Sequence, residues 1–133
     1  MDAFTLAMFE AALWSETEDN GTPLDEHHGI SDFAKPVREA LELEAQKFQR
    51  DNAKDIERGL KKSRVATLRD PDPYVAAGHD FWLTRNGHGA GFWDGDWTEP
   101  AATRLTKASK RYRPVALYVH RGKIWASGYE GRR

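Results

Sequence analysis

The fold class of this chain turns on one stretch, residues 78–94 (GHDFWLTRNGHGAGFWD), where helical spacing of apolar residues gives way to alternation. Across residues 80–85 (DFWLTR), Phe81, Leu83 and Arg85 fall on one side of an extended chain and Trp82 and Thr84 on the other. Asn86-Gly87 follows, a dipeptide whose residues both tolerate positive φ and which commonly closes two-residue hairpins. The chain then runs through His88-Gly89-Ala90-Gly91 and returns as Phe92-Trp93-Asp94. This pattern predicts two antiparallel strands with aromatic residues paired across them.

Helices flank this segment. Residues 3–14 (AFTLAMFEAALW) carry Phe4, Met8 and Ala11 on one face with Leu6, Phe9 and Leu13 beside it, so this helix is apolar around most of its girth. Residues 15–29 read as a polar loop broken by Asn20-Gly21 and Pro23. A longer helix runs from about Ser31 or Pro36 to near Leu60, with Val37, Leu41, Ala45, Phe48, Ile56 and Leu60 in its stripe and Asn52 interrupting it. Residues 61–73, ending in Asp-Pro-Asp-Pro, read as a loop or frayed end. Thr98 is the expected N-cap of a third helix reaching Arg113, with Glu99 favourable to its dipole. Residues 115–120 and 123–126 are then strands about a turn at Arg121-Gly122, and residues 128–133 form a mobile tail. The expected order is α-α-β-β-α-β-β: an α+β domain over residues 1–133, with a mainly antiparallel four-stranded sheet packed against helices on one face.

Composition excludes several classes. There is no cysteine, so disulfides and thiolate metal sites are ruled out and nothing points to an oxidising compartment. No apolar run approaches the roughly 20 residues of a membrane span, and the acidic start is unlike a signal peptide, so the expected address is the cytoplasm. The net charge of −1 hides an asymmetry. Residues 1–45 hold 11 acidic and 2 basic groups, residues 46–100 nine of each, and residues 101–133 hold 1 acidic and 9 basic. Three arrangements produce such a split: a basic binding face, an acidic face that imitates a polyanion, or two ends that attract each other in the fold.

The motifs suggest binding rather than chemistry. His79-Asp80, with His27, His28, Asp94 and Asp96, invites comparison with His-Asp metal phosphohydrolases, but such pairs sit on helices and this one is expected to open a strand. No metal or cofactor is therefore expected. Gly87, Gly89 and Gly91 alternate as in phosphate loops, yet here they join two expected strands rather than a strand and a helix. No arrangement of nucleophile, base and acid stands out, so no catalytic residue is assigned. The strongest binding candidate is basic: Arg104, Lys107 and Arg111 share a face of the third helix, with Lys110, Arg121 and Lys123 extending it. Arg85, His88, Trp93 and Trp97 join them, the tryptophans because exposed indoles anchor interfaces and stack on bases.

Residues 77–94 (AGHDFWLTRNGHGAGFWD) resemble the signature of a family of short proteins common in phage genomes and prophages. Similarity also lies in residues 4–14 with the acidic loop after them, in Pro23-Leu24-Asp25 and in Leu117-Tyr118-Val119, so it covers most of the chain. The basic C-terminal third departs from the family, whose members tend to be acidic there. The family carries no assigned activity, and the resemblance therefore implies context rather than residues: a small accessory protein of a phage or mobile element. The leading expectation is a non-catalytic, anti-CRISPR-like protein that inhibits a host defence complex by protein–protein contact. The alternative is a DNA- or RNA-binding accessory protein using the basic third, and an enzyme comes third.

Overall fold

The computed structural model describes residues 1–68 and 71–131. Five helices and one hairpin follow in the order α1 (Ala3–Ser15), α2 (Lys35–Gly59), α3 (Lys62–Val65), α4 (Pro73–Arg85), α5 (Ala101–Lys110), β1 (Leu117–His120) and β2 (Lys123–Ala126). The protein is α+β and mainly helical. The expected four-stranded sheet is wrong: the sheet among the described residues has two strands, β1 and β2, and residues 80–85 are the end of a helix.

The correction has a local cause. Asp72 caps α4 by accepting from the Tyr74 amide at 2.9 Å, and Pro73 occupies the first turn, where no N–H is needed. At the other end Asn86-Gly87 closes a helix instead of a hairpin. The Gly87 amide donates to Thr84 and the His88 amide to Leu83, the paired bonds of a Schellman motif, with Gly87 at φ +71°. The dipeptide chosen for a hairpin's positive φ serves a helix C-terminus equally well. Alternation over six residues failed as a signal because α4 is covered on nearly every side, so Phe81, Trp82, Leu83, Thr84 and Arg85 are all buried. Phe92–Asp94 lie in the turns that follow.

α1 is the central rod. Asp2 caps it through the Thr5 amide at 2.8 Å, and eight of its residues are buried. α4 packs along it so closely that a Cβ at Gly78 would collide with the Phe4 carbonyl oxygen and Ala7. α2 crosses both and kinks at Asn52, whose non-helical backbone is accompanied by a bond from its side-chain Nδ2 to the Phe48 carbonyl at 2.9 Å. Phe4, Phe48, Phe81, Phe92 and Tyr112 form the aromatic centre of the core, Phe48 stacking on Phe81 with centroids 4.3 Å apart.

α5 is shorter than expected, and Thr98 is not its side-chain cap. The Thr98 hydroxyl bonds the Gly59 carbonyl, while the Glu99 carboxylate accepts from the Thr103 amide. The hairpin forms as expected, with Leu117 opposite Ala126, and the Ala34 amide donates to the Ile124 carbonyl at the start of α2. The described part of the expected mobile tail is docked. Tyr129 is buried, its hydroxyl donating to Glu44 and accepting from Arg85; Arg132 and Arg133 lie outside the described residues. Arg69 and Asp70, in the expected 61–73 loop, also lie outside them, and one helical turn, α3, occupies part of that loop.

Candidate functional site

The outer face of α5 is a strongly basic surface that the fold leaves uncovered. Residues 101–113 hold five cations and no acid. Ala101, Ala102, Leu105, Ala108 and Ser109 turn inward, and helical spacing therefore forces Arg104, Lys107, Lys110 and Arg111 outward. Arg104 is engaged: its guanidinium grips Asp55 of α2 in a fork, at 2.8 and 2.6 Å. That pair holds the Asp55 carboxyl below its usual range. Lys107, Lys110 and Arg111 are exposed and, among the described residues, form no ion pair.

Two clefts flank this ridge. On the α2 side, a cleft of about 660 Å³ opens between the Asn52 kink and the start of α5. Arg50, Lys54, Arg58 and Arg104 contribute its cations and Asp51, Asp55 and Glu99 its acids. Asp51 is bound to Lys47 at 2.6 Å and Asp55 to Arg104, so Lys54 and Arg58 are left without partners among the described residues. Sequence reasoning missed Arg50, Lys54 and Arg58, which read as the solvated side of an amphipathic helix. Only the packing of α5 on α2 brings them beside the basic ridge.

On the other side Trp93 lies against α5 in a cleft of about 210 Å³ with Ala102, Thr103, Thr106 and Lys107. Trp93 is 54% exposed, whereas Phe92 and Trp97 on either side are buried at 0% and 2%. Its loop is held firmly. The Phe92 amide donates to the Thr84 hydroxyl at 3.1 Å, and the Gly91 amide to Asp94 at 3.2 Å. The Trp97 indole N–H donates to Asp80 at 2.7 Å.

The other expected site residues divide. Arg85 and Trp97 are buried and present no surface to a partner. The Arg85 guanidinium bonds Glu44 at 2.7 Å, the Arg113 carbonyl at 2.7 Å and the Tyr129 hydroxyl at 3.1 Å, and it stands over the Phe81 and Tyr112 rings. It ties the C-terminal tail to α4 and α2. His88 is not a free tip: its Nε2 lies 2.7 Å from Glu16, which also accepts from the Trp82 indole. Arg121 and Lys123 are exposed at the hairpin turn, but the hairpin joins α2 at Phe33 and Ala34, some 20 residues before Asp55. Along α2 the hairpin's contact at Ala34 and the Arg104 fork at Asp55 are thus about 21 residues apart. Arg121 and Lys123 are positioned by the hairpin rather than by α5, whereas Trp93 lines the α5 cleft.

The His79-Asp80 pair is helical after all, but the two side chains diverge. His79 sits edge-on to Trp14 with centroids 6.3 Å apart, and burial pushes its pKa down. Asp80 faces Trp97, and burial pushes its carboxyl up to about 7, with Asp94 and Asp96 adding to the rise against the indole bond. The loop histidines are paired as well, His27 with Glu18 at 2.9 Å and His28 with Asp32 at 3.5 Å. Among the described residues no group of three or more histidine, aspartate or glutamate side chains is placed to hold a metal ion, and no helix is long and apolar enough to cross a membrane.

The charge asymmetry is likewise decided in space. Among the described residues, no lysine or arginine of 101–131 forms an ion pair with an acid of 1–45; the pairs are local or reach the middle third, as in Arg85–Glu44 and Arg104–Asp55. The two thirds nonetheless meet at the hairpin, where the Gly29 amide, then His28 and Lys123, hold the Asp32 carboxyl below its usual range. Comparison with protein-family models, curated proteins and solved structures finds no match.

Proposed function

We propose that this is a non-catalytic binding protein whose working surface is the outer face of α5, and that it takes nucleic acid there. One observation carries the reading: Lys107, Lys110 and Arg111 stand exposed, and without an ion pair among the described residues, on α5 and its C-cap, beside an exposed tryptophan held by a firm loop. Lysine and arginine on such a ridge neutralise phosphates and release their counterions. The partner cations of the α2 cleft, Lys54 and Arg58, widen the positive surface. In this reading the protein works in the cytoplasm of a host cell as an accessory of a phage or mobile element, the context implied by the resemblance of residues 77–94.

The test is binding of labelled DNA and RNA across a salt series. Three or four phosphate contacts give a slope of log K against log salt of about −2 to −4, and Lys107→Ala with Arg111→Ala lowers it by about 1.5. A salt-independent affinity, or a slope unchanged in the double variant, refutes the reading.

A second reading keeps the inhibitor of a host defence complex acting by protein contact. It is favoured by Leu6 and Trp14, which stand exposed at eight-residue spacing with Glu10 between them on the outer face of α1, in the acidic third of the chain. It requires one stoichiometric host protein that survives nuclease treatment in a pull-down and is lost on Trp14→Ser. Loss of all protein partners with the nucleic acid returns the assignment to α5.

A further inference from the structure

Which form of nucleic acid the α5 face takes is a question about Trp93. Its loop is anchored on both sides, since Phe92 and Trp97 are buried in the core and the Phe92 amide donates to Thr84. The Trp93 ring lies against α5 while more than half of the residue stays open to solvent. Across the cleft the helix presents Ala102, Thr103 and Thr106, small and uncharged, with Lys107 and Glu99 at the rim. The hydroxyl protons of Thr103 and Thr106 are committed to Glu99 at 2.8 Å and to the Ala102 carbonyl at 2.7 Å, which leaves their lone pairs facing outward. The volume, about 210 Å³, is below the roughly 300 Å³ at which small-molecule sites begin, so the cleft admits one planar ring and not a whole cofactor.

We infer that this site takes single-stranded nucleic acid, one unpaired base lying on Trp93 in the cleft while Lys107 and Arg111 hold the neighbouring phosphates. The inference rests on the α5 reading above and adds to it the strandedness of the ligand. In a duplex both faces of every base are covered by its neighbours, and a tryptophan reaches a base face only by wedging the stack open. A wedge has to stand clear of its own protein, and Trp93 instead lines a cleft against α5. An unpaired base offers its face at no such cost, and base–aromatic stacking tolerates every sequence. Glu99 repels phosphate from its own end of the cleft, which directs the backbone toward Lys107 and Arg111.

The experiment is fluorescence anisotropy of a labelled 12-nucleotide single strand and of the same sequence as a duplex, with the full chain at low salt. The single strand binds at least tenfold tighter, Trp93→Ala weakens it by about 5- to 100-fold with duplex binding unchanged, and Trp93→Phe retains most of the affinity. Trp93 is largely exposed, so an unchanged melting temperature verifies that the variants fold. Equal affinity for the two forms, or indifference to Trp93→Ala, overturns the inference. If Lys107→Ala with Arg111→Ala then still weakens both ligands, the α5 reading survives without it. If neither ligand binds, the α5 reading and the inference fall together.

Discussion

Replacing Asp80 by Asn should change the pH dependence of stability more than stability itself. Asp80 is enclosed at the junction of α4 with the 86–98 loop, its carboxyl pushed up to about 7 by burial and by Asp94 and Asp96. An aspartate in the unfolded chain titrates near 3.9. Between these values the native state holds a proton that the unfolded state has lost, so stability falls as pH rises. The contribution is complete below about pH 4 and gone above about pH 7. From pH 5 to pH 8 the change covers about two pKa units, or roughly 2.7 kcal/mol as a ceiling. Because Asp80 keeps some solvent contact, about 1–2.5 kcal/mol is the expected change. Asn has no proton to lose and its carbonyl still accepts from the Trp97 indole. In urea unfolding at pH 5, 6, 7 and 8, Asp80→Asn should match the wild type most closely at the acid end, gain on it up to about pH 7 and level off by pH 8. A stability difference that stays constant across the series refutes the assignment of the elevated titration to Asp80.

Other substitutions test the packing. Arg85→Ala should cost about 3–5 kcal/mol, because Glu44, the Arg113 carbonyl and Tyr129 lose a buried cation together; urea unfolding reads it, and a loss under 1 kcal/mol contradicts the clasp. Gly78→Ala should lower stability by about 1–3 kcal/mol, since α1 and α4 have to separate to admit a methyl group; an unchanged melting temperature would show that the helices are less closely apposed.

How far the sequence was legible depended on how many neighbours a segment acquires. α2 was readable because it keeps a regular apolar stripe and a solvent face, and the kink coincides with Asn52, where the stripe breaks; α1 was readable from a long apolar run free of turn residues. The β1–β2 hairpin was readable because Arg121-Gly122 at positive φ is a local requirement. α4 was misread because burial on nearly every side erases the periodicity that identifies a helix. The signal that would have found it was present at its ends: Asp72-Pro73 as cap and first turn, and Asn86-Gly87 as the terminator thirteen residues on.

The sequence by itself determined a cysteine-free chain with two legible helices, a C-terminal hairpin and a basic helical face at Arg104, Lys107 and Arg111, since each depends on residues within a few turns of one another. Only the tertiary structure decided that Arg85 and Trp97 are interior while Trp93 is open, and that Lys54 and Arg58 come beside α5. These outcomes depend on which helix lies against which. Neighbouring residues such as Phe92 and Trp93 carry similar side chains into opposite surroundings, and no local pattern distinguishes them.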